Sequence, residues 1–549
     1  MASIELVLAM LLAVLASGYL QRILQRILPL SLPLPLVQIA LGAVIAGVFN
    51  EGVTLQPELF FLLFLPPLLF LDGWRIPKDG LFHDANVILP LAFGLVVFTV
   101  VGAGLLIHWM IPAMPLAVAF ALAAILAPTD PVALSSIAKR APVPRRLMHI
   151  LEGESLLNDA TGLVCFRFAV AAVMTGSFSL ARASIAFVWM ALAGVVIGVV
   201  FTLAVNRSQN WLSRRFGEES GTPILLSLLI PFGAYLLAEE ANASGILAAV
   251  AAGITMSFVE LTGRVLATTR VQRTAVWDTL QFTLNGVVFV LLGEQLPAIL
   301  RNAADSVREA GHVNPWWLAV YALALSTGLL ALRTAWVWVA LRLDARSARR
   351  RGEPRRNPHW RLVAAASLAG VRGAITLAGV LSLPLLLPDG SGFPARDLVI
   401  FLAASVILLS LVAASIGLPR LLVGLQLPED SRERRQLEFG RRESAIAAVA
   451  AIDRAQHAIP DDSADTDLYA QAAVRVMALY EQRLGERTGT AVEAETLRRA
   501  DRAERELRLA GFEAERRRVF ELARQRHISD AIARRLVREI DLLEARYRA

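Results

Sequence analysis

The sequence predicts an all-α polytopic membrane protein with a helical soluble tail, on three observations. Of 549 residues, 56% are hydrophobic and 18% charged, whereas a soluble domain averages about 45–50% apolar and about 25% charged. The excess is unevenly placed: residues 1–424 form a series of long apolar runs, while 425–549 are dense in Arg and Glu. The runs repeatedly reach the ~20 apolar residues that a helix needs to cross a bilayer core.

In chain order the spans fall at 4–20, 29–49, 57–71, 86–107, 115–138, 148–174, 183–205, 221–238, 243–259, 275–293, 315–341, 362–386 and 397–424, about thirteen in all. The first reads as a retained span, because Met1–Glu5 lacks the basic stretch of a signal peptide and no small-residue cleavage site follows. Loops on alternate sides differ in basic content. One side holds Arg22, Arg26, Arg75, Lys78, Lys139, Arg140, Arg145, Arg146, Arg207, Arg214, Arg215, Arg264, Arg270, Arg273 and a cluster from Arg342 to Arg361. The other holds only Arg182, Arg301, Arg308 and Arg396. Positive loops stay cytoplasmic, which puts the N-terminus outside, the tail in the cytosol and the chain in the cell (inner) membrane. The net charge of +7 is then membrane-flanking charge and not a nucleic-acid surface. Cys165 stands alone in an apolar segment, which excludes a disulfide framework.

The tail divides into polar, helix-forming stretches. Asp461-Asp462-Ser463 reads as a loop or helix start, and Leu468, Val476 and Leu479 give a weak apolar face. Ser529 is a candidate N-cap for a helix bearing Ile532, Leu536, Ile540 and Leu543, spaced for one apolar stripe. Such a stripe wants a partner, either another tail helix or a second copy of the chain.

Charges inside the apolar spans carry the functional signal, because an ionised group at the centre of a membrane helix costs ~2.5–3.5 kcal/mol on insertion scales. The fifth span contains Ala127-Pro128-Thr129-Asp130-Pro131. Two prolines remove backbone donors around Thr129 and Asp130, and broken membrane helices place free carbonyls and helix ends where they bind small cations. The sixth span opens Glu152-Gly153-Glu154-Ser155-Leu156-Leu157-Asn158-Asp159. A helix stacks Glu154 over Asn158 and Ser155 over Asp159, which makes an oxygen-rich patch suited to a hard cation. Glu152 suits equally well a helix start, where an acid favours the positive dipole end. Arg333 and Arg372 sit deep in later spans, and an arginine that cannot lose its proton needs an anion or an aqueous cavity. Glycines beside Arg372 allow a second break opposite the first, the pattern of an inverted-repeat transporter. Arg167 reads as a snorkelling or loop-facing residue. Asp72 either lines a cytoplasmic funnel or marks the water boundary.

These residues resemble the monovalent cation–proton antiporters of the NhaP and sodium–hydrogen exchanger type across nearly the whole membrane domain. The markers are Leu65-Pro66-Pro67-Leu68-Leu69-Phe70, Thr129-Asp130-Pro131, Glu154 to Asp159, Tyr235-Leu236-Leu237-Ala238-Glu239, Ser244-Gly245-Ile246-Leu247-Ala248, Leu284 to Gly293 and Gly370-Val371-Arg372-Gly373-Ala374. The resemblance implies a homodimer whose protomers have a dimerisation and a mobile core subdomain within 1–424, with spans five and twelve interrupted and crossing near the ion site. It makes Asp159 the carboxylate that binds Na⁺ or H⁺, with Thr129, Asp130, Ser155 and Asn158 coordinating or supporting. It gives Glu154 an arginine partner, Arg333 as the best match and Arg372 as the alternative. Some relatives carry Glu where Asp72 stands, which leaves its accessory-ligand role open.

The expected activity is exchange of Na⁺ for H⁺ by alternating access, electroneutral because position 158 is an amide and leaves one carboxylate for competition on this helix. A K⁺/H⁺ antiporter on the same scaffold is the alternative, and an ion channel or a membrane sensor are rivals of other classes. No covalent chemistry is expected, since no nucleotide loop, metal cluster or nucleophile constellation is visible. The ligands are the transported ions, Na⁺ (or Li⁺ or K⁺) and H⁺, without a cofactor, and the tail 425–549 is expected to be regulatory.

Overall fold

The computed structural model describes residues 4–27, 33–49, 57–76, 88–130, 145–176, 180–216, 221–260, 267–309, 316–350, 360–422 and 431–457. In the tail it also describes 473–477, 508–509, 511–522, 525, 536–537 and 539–544. Pro131, Lys78, Lys139, Arg140 and Arg264, and the tail residues Asp461 to Ser463, Leu468, Leu479, Ser529 and Ile532, lie outside the described residues. The chain divides into two compact units, Met1–Leu425 and Gln426–Ala549.

Among the described residues, helix falls in every apolar segment read from the sequence. In order these are α1 (Ile4–Ile27), α2 (Leu34–Phe49), α3 (Pro57–Arg75), α4 (Pro90–Met110, its first turn a π-helix), α5 (Leu116–Leu126), α6 (Arg145–Thr175) and α7 (Leu180–Phe216). They continue as α8 (Gly221–Glu240), α9 (Gly245–Glu260), α10 (Ala267–Glu309), α11 (Trp316–Arg350), the two halves α12a (Trp360–Leu368) and α12b (Ala374–Leu381), and α13 (Arg396–Leu422). Among the described residues, eight helices are long and apolar enough to cross a membrane. The chain is a multi-pass, all-helical membrane protein. The lipid-like surroundings show on α7, where only 17% of the apolar window is buried and Trp189, Leu192, Val196 and Val200 are exposed.

Three helices run well past the span boundaries read from hydropathy. α7, α10 and α11 have 37, 43 and 35 residues, and at about 1.5 Å per residue all exceed a ~30 Å hydrocarbon core. Hydropathy stops at the membrane edge, whereas Arg and Lys are good helix formers and carry the helix on.

Helices seven apart play equivalent parts. α1 packs on α2 as α8 does on α9, and α2 on α10 as α9 does on α3. Likewise α4 packs on α5 as α11 does on α12a, and α5 on α6 as α12a does on α13. Seven is odd, so two copies of a chain that reverses at each span run in opposite senses, which is the inverted repeat the sequence suggested. The repeat reaches single residues. A Cβ at Gly293 of α10 would overlap the Ile39 carbonyl of α2, and one at Gly73 of α3 would overlap the Val250 carbonyl of α9. Small residues let the paired backbones touch where dispersion replaces the hydrophobic effect. Two bundles result, α1–α3 with α7–α10 and α4–α6 with α11–α13. The second holds much of the densest core, with Leu122, Ala123, Leu402 and Ala403 all fully buried.

In the second unit, α14 spans Ser431–His457. Val519 packs with Ile540, Phe512 and Val537, while Arg516 pairs with Asp541 at 2.9 Å and with Glu544. The expected stripe is therefore rotated: Ile540 is buried, but Leu536 and Leu543 are exposed. The ion pairs from Arg516 turn the 537/540/544 face inward instead.

Candidate ion-binding site

The site lies where the C-terminal end of α5 meets the break between α12a and α12b. α5 stops at Leu126 with Ala127 as its C-cap, and residues 128–130 carry no helix, starting at Pro128, which has no N–H to give. α12a stops at Leu368 and helix resumes only at Ala374. The two segments touch, Asp130 N–H donating to the Val371 carbonyl at 2.7 Å.

Fixed charges match the helix ends this creates. The Arg372 guanidinium donates through Nε to Leu126 O (3.0 Å) and through Nη1 to Gly370 O (2.6 Å). Those carbonyls close the C-terminal ends of α5 and α12a, where the dipole is negative. The Asp130 carboxylate lies against Gly373, at the positive N-terminus of α12b, so closely that a Cβ on that glycine would overlap it. Arg372 is thus satisfied by backbone carbonyls and is not the partner of Glu154. The family resemblance left it as the alternative partner, and the sequence allowed it an anion or an aqueous cavity but not the carbonyls of two helix ends.

The partner is Arg333. Its Nη1 and Nη2 donate to Glu154 Oε1 and Oε2 at 2.6 and 2.9 Å, in a parallel two-bond fork, and its Nε donates to Ala366 O at 3.3 Å. Both side chains are shut from solvent, at 0% and 2% exposure. This pair ties α6, α11 and α12a into one body.

On α6, Ser155 Oγ donates to Thr129 O (2.7 Å) and Asn158 Nδ2 donates to Thr129 Oγ1 (3.1 Å). Three residues apart, they share a helix face and fasten the end of α5 to α6. Asp159, next in sequence, turns towards a cavity of about 30 Å³ that Asp72, Thr129, Asp130, Asn285, Thr376 and Pro128 also line. Ser155 and Asn158 stand behind Thr129 and do not line it. Asn158 Oδ1, fully buried, has no hydrogen-bond donor among the described residues.

Asp72 comes from the other bundle and lines the same cavity. The end of α3 that carries it is anchored nearby. Trp74 Nε1 donates to Glu260 at 2.7 Å, Glu260 pairs with Arg273, and the Arg273 guanidinium lies 5.4 Å over the Trp74 ring. Arg75 pairs with Asp278 on α10. Arg167 is half-exposed and pairs with Glu239 on α8 at 3.1 Å. Sequence reading missed Asn285 and Thr376 as lining residues. The available signal was a polar side chain within apolar α10 and a hydroxyl one turn after the Arg372-Gly373 break.

Comparison with known proteins gives this geometry a context. A family model described as sodium/hydrogen exchanger, transmembrane, matches residues 10–424. The chain is 40% identical over 93% of its length, and 93% of the relative's, to the uncharacterised Na⁺/H⁺ exchanger YjcE of Escherichia coli K12. It is 42% identical to a sodium, potassium, lithium and rubidium/H⁺ antiporter of Bacillus subtilis, over 70% of this chain and 57% of that one. Among solved structures, the sodium proton antiporter MjNhaP1 from Methanocaldococcus jannaschii superposes with a TM-score of 0.57. That match covers 77% of this chain and 99% of the other at 17% identity, and shows a shared fold. With a family match over residues 10–424 and 40% identity to a relative along 93% of its length, this chain belongs to the sodium/hydrogen exchanger family.

Proposed function

We propose that the protein exchanges Na⁺ for H⁺ across the cell membrane by alternating access, with Asp159 as the carboxylate that both ions share. The observation that carries this reading is the cavity at the helix crossing, where Asp159, Asp130 and Asp72 meet around space for one small ion. A cavity needs only ≳10–15 Å³ to hold a water-sized particle, and carboxylate, carbonyl and hydroxyl oxygens are what a hard monovalent cation takes as ligands.

The two bundles divide the work. Asp159, Asp130 and Thr129 belong to the α4–α6/α11–α13 bundle, which the Glu154–Arg333 pair and the Arg372 bonds make rigid. Asp72 belongs to the other. Movement of the first bundle, the core, against the second carries the ion site from one side to the other. Neutralised by Na⁺ or H⁺ the site crosses; empty, its charge opposes the move. The carboxylate on α6 exchanges one charge for one charge, so transport is electroneutral and makes or breaks no covalent bond. The second bundle serves as the scaffold of a homodimer. The N-terminus lies outside, and the tail from 425 lies in the cytosol and regulates exchange.

A broader cation range is the second reading, favoured by the Bacillus relative, described as a sodium, potassium, lithium and rubidium/H⁺ antiporter. Purified protein in proteoliposomes decides. An imposed pH gradient should collapse on adding Na⁺, with Li⁺ and K⁺ compared side by side, and the rate should not follow a clamped membrane potential. Collapse with K⁺ alone assigns the K⁺/H⁺ alternative, and a rate that tracks the potential removes the one-for-one scheme.

A further inference from the structure

We propose that Asn285 and Thr376 are further ligands of the transported cation, and that these two neutral oxygens set which alkali ions the site accepts. The inference rests on the antiport reading above. Both side chains line the cavity that holds Asp72, Asp130 and Asp159. Both are buried, at 9% and 2% exposure. Neither side chain makes a hydrogen bond to another described residue, so the oxygen of each is available to the cavity it lines. A cation in the cavity supplies the partner: an amide carbonyl and a hydroxyl oxygen each offer a lone pair to it.

The chemistry argues for neutral ligands here. A desolvated alkali cation needs several oxygens, and how many there are and how strong their fields are both bear on size selectivity. Carboxylates supply field and charge together, so more of them would retain protons or extra cations and upset a one-for-one exchange. Asn285 and Thr376 add oxygens without charge, and weak-field oxygens discriminate less sharply between small and large ions.

Their places in the fold give the two residues different roles. Thr376 sits in the first turn of α12b, in the same bundle as Asp159, and travels with the ion. Asn285 is on α10, in the bundle with Asp72, and reaches the ion only when the bundles stand as they do here. Loss of Thr376 therefore weakens cation binding from both sides of the membrane, and loss of Asn285 from one side.

The test uses the full-length protein in proteoliposomes, with apparent affinities for Na⁺, Li⁺, K⁺ and Rb⁺ measured from each side in Thr376→Val, Thr376→Ser and Asn285→Ala. The expected result is an apparent Na⁺ affinity about tenfold weaker in Thr376→Val, equivalent to about 1.4 kcal/mol. Maximum rate should hold, Thr376→Ser should restore the affinity, and the order of the four cations should change. Asn285→Ala should show its loss from one side alone. Na⁺-dependent thermal stabilisation of the purified protein should shrink in parallel. Affinities and cation order within twofold of wild type overturn the proposal, as does a fall in maximum rate with affinity unchanged. If Asn285→Ala does not insert, Thr376→Val decides alone, since valine keeps the shape of threonine. Absence of cation-driven exchange in the wild type would instead defeat the antiport reading on which the proposal stands.

Discussion

Replacing Glu154 by glutamine removes one charge and leaves the shape almost unchanged, so its effect isolates the ion pair. In the wild type the Arg333 guanidinium gives two charge-assisted bonds, at 2.6 and 2.9 Å, to a carboxylate that is 0% exposed, with Arg333 itself 2% exposed. At that burial neither solvent nor salt screens the pair. Without the carboxylate, Arg333 keeps its Nε bond to Ala366 O and one bond to a neutral amide oxygen, and a full positive charge stays uncompensated among α6, α11 and α12a. Breaking a buried pair from one side costs about 3–5 kcal/mol. Spread over a unit of this size, with ~2 cal/mol/K of unfolding entropy per residue, that is a fall in Tm of on the order of 5 °C. The assay is thermal melting of the detergent-purified protein by size-exclusion fluorescence, with folded yield and proteoliposome exchange measured on the same preparation. A Glu154→Gln protein that melts with the wild type and exchanges at its rate would refute the pairing as a structural element.

Gly373→Ala should abolish exchange while the protein still inserts, because its Cβ would overlap the Asp130 carboxylate at the N-terminus of α12b; wild-type transport in that variant shows the close approach to be dispensable. Arg167–Glu239 joins α6 of one bundle to α8 of the other, so the pair must part in each cycle. With Cys165 replaced by serine and cysteines at 167 and 239, a bifunctional thiol cross-linker of matched length should stop exchange and a reductant restore it, whereas transport through the cross-linked form contradicts the sliding of the bundles. Truncation after about residue 430 should leave exchange measurable with its pH profile or maximum rate altered, since all the proposed ligands precede residue 425; complete loss in a properly inserted dimer contradicts a regulatory tail.

Much of the fold could be read from the sequence because bilayer physics leaves few choices. Apolar runs become helices, and a proline beside a buried acid, or glycines flanking a buried arginine, mark where one stops, although Pro66, Pro67, Pro231, Pro297 and Pro419 all stand inside continuous helices. A charge in an apolar run needs a partner or a task, which singled out Glu154, Asp159 and Arg333 in the sequence, and it was the family resemblance that ranked Arg333 first as the partner of Glu154. What escaped was whatever depended on tertiary neighbours. Four-residue stacking placed Ser155 with Asp159 and Glu154 with Asn158, but the fold sends these neighbours to different targets: Ser155 and Asn158 to Thr129, Glu154 to Arg333, Asp159 to the cavity. Arg372 showed that carbonyls at a broken helix end satisfy an arginine as a carboxylate does. Asn285 and Thr376 raise no alarm in a sequence, because an amide or hydroxyl in a membrane helix is cheap and common. The long ends of α10 and α11 went unread because hydropathy reports the bilayer and not the helix.

The central claim is that one buried carboxylate on α6 is shared by cation and proton, and Asp159→Asn tests it most directly. An amide matches a carboxylate in size, so the variant should insert, purify and melt like the wild type. Measured in proteoliposomes under an imposed pH gradient, its Na⁺-driven proton flux should fall to that of empty vesicles, and Na⁺-dependent thermal stabilisation should vanish with it. Coupled Na⁺/H⁺ exchange that survives in a folded Asp159→Asn protein would contradict the account at its root.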